Sequence, residues 1–114
     1  MGITKKEGFR EMTLDMAEVL KVLGHPARLA IMEFLAESPS CICNDVVGSV
    51  PLAQPTVSRH LSELKRVGLI KGEISGKNIC YCIDNDRWHM VMDYLRKLTG
   101  AIEAPVANCN SSII

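Results

Sequence analysis

The stretch Gln54-Pro55-Thr56-Val57-Ser58-Arg59-His60-Leu61-Ser62-Glu63-Leu64-Lys65-Arg66-Val67-Gly68-Leu69-Ile70 decides the fold. Val57, Leu61 and Leu64 recur at helical spacing, with Val67 near the end, and so form one buried stripe of an amphipathic helix. Pro55 falls in the first turn, where its missing N–H costs nothing. Gly68 suits the left-handed residue that closes a helix. Directly afterwards the apolar period drops from 3.6 to 2. Leu69-Ile70-Lys71-Gly72-Glu73-Ile74 reads as a strand, Ser75-Gly76-Lys77-Asn78 as a turn, and Ile79-Cys80-Tyr81-Cys82-Ile83 as the returning strand.

Upstream, Met12, Met16, Val19, Leu20 and Leu23 predict a first helix that ends at Gly24. Pro26 opens a second, whose stripe is Ala27, Ile31, Phe34 and Leu35, and Ser38-Pro39-Ser40 breaks it. A short third helix is expected from Ile42 to about Gly48, capped by Ser40, with Ile42, Val46 and Val47 inward. Val50-Pro51-Leu52-Ala53 then connects to the helix at Pro55. Downstream, Trp88, Val91, Met92, Leu95 and Leu98 mark a final helix from about Asp84 or Asp86, stopped at Gly100. The predicted fold is mainly α with a β-hairpin wing, in the order α-α-α-α-β-β-α, a winged helix-turn-helix. It occupies residues 12–99, between a flexible arm (1–11) and a flexible tail (100–114).

A chain of 114 residues makes one domain. Its 47% hydrophobic content argues against disorder over the whole length. Thirteen basic residues balance thirteen acidic ones, so a nucleic-acid face must arise locally. Residues 53–77 carry Arg59, Lys65, Arg66, Lys71 and Lys77 against Glu63 and Glu73. No apolar run approaches the roughly 18 residues of a membrane span, and Met1–Glu7 has no apolar core for a secretion signal. The expected location is cytoplasmic, with the five cysteines mostly reduced. No Ser/His/Asp order, phosphate loop or paired acids in a recognisable setting points to an enzyme.

The helix at Pro55 is the candidate reading element for a double-stranded DNA operator. A helix fits the major groove, where each base pair shows a distinct hydrogen-bonding pattern. Gln54, Thr56, Ser58 and Arg59 face outward at its start if Val57 and Leu61 face the core. Gln suits adenine edges, Arg guanine edges, and Ser and Thr either bases or phosphates. Pro55, His60 and Lys65 complete the candidate face, and Lys77 at the wing tip can reach the backbone.

From about Leu14 to Leu98 the chain resembles the ArsR/SmtB family of metal-responsive bacterial repressors. The resemblance rests on Leu23-Gly24-His25-Pro26-Ala27-Arg28-Leu29, on Gln54 to Leu61 followed by Leu64-Lys65-Arg66-Val67-Gly68-Leu69-Ile70, and on Gly76-Lys77 and Tyr81 in the wing. It implies a homodimer joined through the first and last helices, which leaves its operator when an inducer binds. Trp88, Met92 and Leu95 agree with this, since they make the final helix more apolar than one small core uses.

The resemblance also implies a role for Cys41-Ile42-Cys43. At the start of the third helix this pair resembles the family's thiolate inducer site for arsenite, antimonite or soft divalent metals. Thiolates are soft ligands, and a helix N-terminus helps ionise them. Residues i and i+2 of a regular helix point about 200° apart, so the sulfurs converge only if Cys41 lies at or before the cap or the first turn unwinds. Positions 44–47 are Asn, Asp, Val and Val, without the third Cys often found there, which leaves Cys109 in the tail as the candidate third ligand. Cys80 and Cys82 share a strand face opposite Ile79, Tyr81 and Ile83. They are metal ligands, a redox pair or plain strand residues. His25 and His60 are expected to cap or pack, and Asp84, Asp86 and His89 lack the spacing of the zinc site that some members carry on the last helix. No cofactor is required for folding.

The expected function is a repressor relieved by a thiophilic metalloid or metal, arsenite first. One alternative keeps the fold and makes the thiols a redox or persulfide switch. Another is a metal-binding adaptor with no DNA role.

Overall fold

The computed structural model describes residues 8–38, 41–43, 50–76 and 78–100. In chain order it contains α1 (Glu11–Leu23), α2 (Pro26–Ala36), β1 (Ile42–Cys43), α3 (Gln54–Arg66), β2 (Ile70–Ser75), β3 (Asn78–Ile83) and α4 (Asn85–Leu98). Most boundaries follow from local chemistry. His25 caps α2 by accepting the Ala27 N–H at 3.0 Å, with Pro26 in the first turn. Asp84 caps α4 by accepting the Arg87 N–H at 3.2 Å. At the end of α3, Gly68 takes φ +86°. The Gly68 N–H then bonds to the Lys65 carbonyl and the Leu69 N–H to the Leu64 carbonyl, both at 3.0 Å, which satisfies two orphan carbonyls and turns the chain into β2.

The three strands form one antiparallel sheet in the order β1-β3-β2. β2 and β3 are the expected hairpin, turning at Gly76 (φ +66°). Beneath the sheet lies a single core. α1 contributes Met16, Val19 and Val22; α2 contributes Ile31, Met32 and Leu35; α3 contributes Val57, Leu61 and Leu64; and α4 contributes Val91. Val50, Val67, Leu69 and Ile70 complete it. About 25 cal/mol per Å² of buried apolar surface makes this cluster the main source of stability.

Three expectations are corrected. Ile42 and Cys43 are strand, not the start of a third helix, because they pair with Tyr81 and Cys80 and occupy the otherwise open edge of β3. The rest of that expected helix, with Val46 and Val47, lies outside the described residues, as do residues 1–7 of the arm and 101–114 of the tail. Of the apolar residues whose spacing predicts α1, Met12 and Leu20 are exposed, while Val22, outside that pattern, is buried; on α2, Met32 is buried beside the predicted Ile31 and Leu35. On β3, Tyr81 and Ile83 pack on the core as expected, whereas Ile79 is half exposed and Cys80 is buried.

Candidate nucleic-acid interface and thiol cluster

The burial of Val57, Leu61 and Leu64 fixes the orientation of α3 about its own axis. With that stripe against the core, Gln54, Pro55, Thr56, Ser58 and Arg59 are exposed along its N-terminal half. Thirteen residues give a helix about 20 Å long, enough to lie in a major groove. Among the described residues no ion pair engages Arg59. Arg66 differs: its guanidinium meets Glu18 and Glu63 at 2.8 Å each, and its hydrogen bond to Glu63 holds that carboxyl below its ordinary range. Lys65 is exposed on the side of α3 that faces Gly72 of β2, between helix and wing. Lys77 lies outside the described residues.

His60 departs from the candidate DNA face. It is only 7% exposed and turns inward. Its Nδ1 accepts a hydrogen bond at 3.0 Å from Arg28 Nε, and Arg28 also donates at 3.0 Å to the Val22 carbonyl. Burial, then the charges of His25, Arg28 and Arg59, push its pKa below the ordinary 6.5 and favour the neutral ring. It therefore joins α1, α2 and α3 instead of reaching a base. The His25 ring packs beside it, centroids 4.5 Å apart. The expectation that both histidines cap or pack holds, and the buried His60 ring does not share the exposed face of Gln54, Thr56, Ser58 and Arg59.

A second joint was missed by sequence reasoning. Arg87, at the start of α4, donates to both Asp15 carboxylate oxygens at 2.9 and 2.8 Å and to the Val67 carbonyl at 2.9 Å. The bond from Arg87 holds the Asp15 carboxyl below its ordinary range. Its side chain lies across Gly68, where a Cβ would come within 3.2 Å of Nε. No sequence spacing signals a pair 72 positions apart.

The cysteines meet on the sheet. Cys41 is disulfide-bonded to Cys82, with Cα atoms 4.4 Å apart. Cys43 is the register partner of Cys80, and Cys80 is itself disulfide-bonded. The expectation of reduced thiols is thus not what this structure contains. The register explains the arrangement: once Ile42 pairs with Tyr81 across the ladder, the flanking positions of the Cys-Ile-Cys and Cys-Tyr-Cys triplets come together. Cys109 lies outside the described residues.

The Glu73 carboxylate is 3.9 Å from Cys41 Sγ. Ligand atoms of Cys41, Glu73 and Cys82 all lie within 4.8 Å of one another. They open on a cleft of about 380 Å³ that also touches Ser38 and Lys71. No helix among the described residues is long and apolar enough to cross a membrane.

A reading helix set against a β-ribbon wing defines the winged-helix class of regulators. Residues 25–71 match the model of the bacterial regulatory protein arsR family. The chain is 38% identical over 85 residues to the HTH-type transcriptional repressor SmtB of Mycobacterium tuberculosis, covering 74% of this chain and 62% of that protein. An uncharacterized HTH-type transcriptional regulator of Methanocaldococcus jannaschii is 40% identical over 72 residues, 62% of this chain and 80% of that one. A cadmium resistance transcriptional regulatory protein CadC homolog of Staphylococcus aureus is 32% identical over 83 residues, 72% and 68% respectively. Among solved structures, an ArsR-like transcriptional regulator from Rhodococcus sp. RHA1 superposes with TM-score 0.69 at 17% identity, covering 82% of this chain and 88% of that chain. The homodimeric winged helix-turn-helix DNA-binding domain of a possible ArsR-family regulator from Mycobacterium bovis gives 0.61 at 19%, covering 90% and 99%. The chain belongs to the ArsR/SmtB family of winged-helix transcriptional regulators, a class distinct from enzymes.

Proposed function

We propose that the protein is a DNA-binding transcriptional repressor, homodimeric and cytoplasmic, that leaves its operator when cysteine thiolates engage a thiophilic metalloid or metal such as arsenite. The observation that carries the DNA-binding part is the orientation of α3: its apolar stripe is buried while Gln54, Thr56, Ser58 and Arg59 stand exposed together. The repressor name of the mycobacterial relative and the cadmium-resistance name of the staphylococcal one support the regulatory part. On this reading Gln54, Thr56, Ser58 and Arg59 contact base edges and phosphates, Pro55 sets the approach of the helix, and Lys65 and Lys77 contact the backbone. Cys41 and Cys43 bind the inducer, with Cys109 as the third ligand.

A second reading makes the same fold a thiol redox or persulfide switch, and the Cys41–Cys82 disulfide favours it. One assay separates the two. Reduced protein on operator DNA is titrated with arsenite, then with an oxidant. Release by arsenite supports the inducer reading; release by oxidant alone supports the switch. Arg59→Ala is expected to weaken operator binding by about 1–3 kcal/mol, the range for a bidentate guanine contact. Unchanged affinity removes Arg59 from the interface.

A further inference from the structure

We propose that Cys41, Cys82 and Glu73 form a redox-gated site for a soft divalent cation, built on the face of the sheet instead of on a helix. This inference rests on the thiol-responsive reading above; it shares Cys41 with the ligand set named there, and the Cys43, Cys109 and Cys82 variants below decide between the two sets.

The sheet supplies the geometry. β3 lies between β1 and β2, so one face can draw donors from all three strands. Cys82 has Lys71 as its register partner on β2 and is bonded to Cys41 beside β1. Glu73 is two residues from Lys71 and therefore on the same face. The donor atoms of Cys41, Glu73 and Cys82 already lie within 4.8 Å of one another. They line a cleft of about 380 Å³, which leaves room for water to complete the coordination. Two sulfurs with one carboxylate oxygen suit Zn²⁺ or Cd²⁺ and disfavour Mg²⁺ and Ca²⁺, which demand oxygen ligands. Lys71 lines the same cleft.

The disulfide is the gate. A cystine sulfur has no thiolate to offer, so the oxidised site cannot bind the cation. Reduction by two equivalents of a small thiol breaks the Sγ–Sγ bond, takes up two electrons and two protons, and converts the reductant to its own disulfide. The cation then displaces both thiol protons as two metal–sulfur bonds form. Either cross-link ties Cys41, the residue just before β1, to the wing strand β3. Exchanging one for the other changes the joint between the wing and the segment leading into the reading helix.

The test is a Cd²⁺ titration of the full-length protein under anaerobic conditions, followed by sulfur-to-cadmium charge-transfer absorption. Reduced wild-type protein is expected to bind one Cd²⁺ per chain at this site, with two thiolates. Oxidised protein is expected to show none of that absorption and to regain it on reduction, a comparison that needs no mutant to fold. Loss of outer partners alone changes metal affinity 10–100-fold, so Cys82→Ser and Glu73→Gln should each weaken binding by at least about tenfold, while Cys43→Ser and Cys109→Ser should not. Tight binding that survives Cys82→Ser and Glu73→Gln, or that is equal in oxidised protein, overturns the site. Operator binding is read separately. Cd²⁺ release of DNA that is insensitive to Cys82→Ser refutes the site and leaves the repressor standing. A protein that never binds the operator refutes the repressor, while the titration still decides the site.

Discussion

His60 follows Arg59 directly in the sequence, yet the two side chains have opposite fates. One helical step of 100° carries His60 from the exposed side of α3 into contact with Arg28. There the ring is an acceptor at Nδ1, a role open only to the neutral form. Its folded pKa lies below 6.5, so the unfolded chain binds more protons in the window just beneath that value. Stability is therefore expected to be present above about 6.5 and to fall as pH drops below it. His60→Gln keeps an acceptor for Arg28 without a titrating ring. Urea unfolding between pH 7.5 and 5 should show a shallower decline for that variant, and parallel profiles would remove His60 as the cause. The exposure of Gln54, Pro55, Thr56, Ser58 and Arg59 was legible because periodicity defines which side of a helix is buried. The fate of His60 was not, since its partner Arg28 is 32 positions away.

At the scale of elements, the passage from α3 to the wing is the most constrained joint. Gly68 combines a left-handed backbone with the Arg87 side chain lying across it. A residue with a Cβ meets the left-handed penalty of about 1–2 kcal/mol. Gly68→Ala should therefore lower stability by at least about that amount, as measured by chemical denaturation. A change within experimental error would show that the turn relaxes to another conformation. The turn itself was readable from Gly68 and the switch in period. The edge strand was not. Cys41-Ile42-Cys43 is too short for periodicity to separate strand from helix, and only its match to Cys80-Tyr81-Cys82 across the ladder decides the matter. That pairing also moves the thiol site from a helix to a sheet, and so changes which residues can share a cation.

For the whole molecule, the apolar surface of α1 and α4 is the feature one chain leaves unused. Val91 is the only fully buried residue of α4, while Met90, Met92 and Leu98 are exposed, as are Phe9, Met12 and Leu20 at and along α1. The proposed homodimer covers this surface. Met92→Lys should shift the protein from dimer to monomer in sedimentation experiments and weaken operator binding, because two half-sites are no longer held together. A wild-type monomer, or a dimer indifferent to this change, would contradict the arrangement.

The sequence by itself determined the α3 stripe, the hairpin, the caps at His25–Pro26 and Asp84, and the closing turn at Gly68, because each depends on residues within a few positions of one another. Tertiary structure alone decided the inward turn of His60, the Arg87–Asp15 pair and the meeting of Cys41 with Cys82. Those contacts join positions 32, 72 and 41 residues apart, and such distant partners are chosen by how the buried faces stack, not by local spacing.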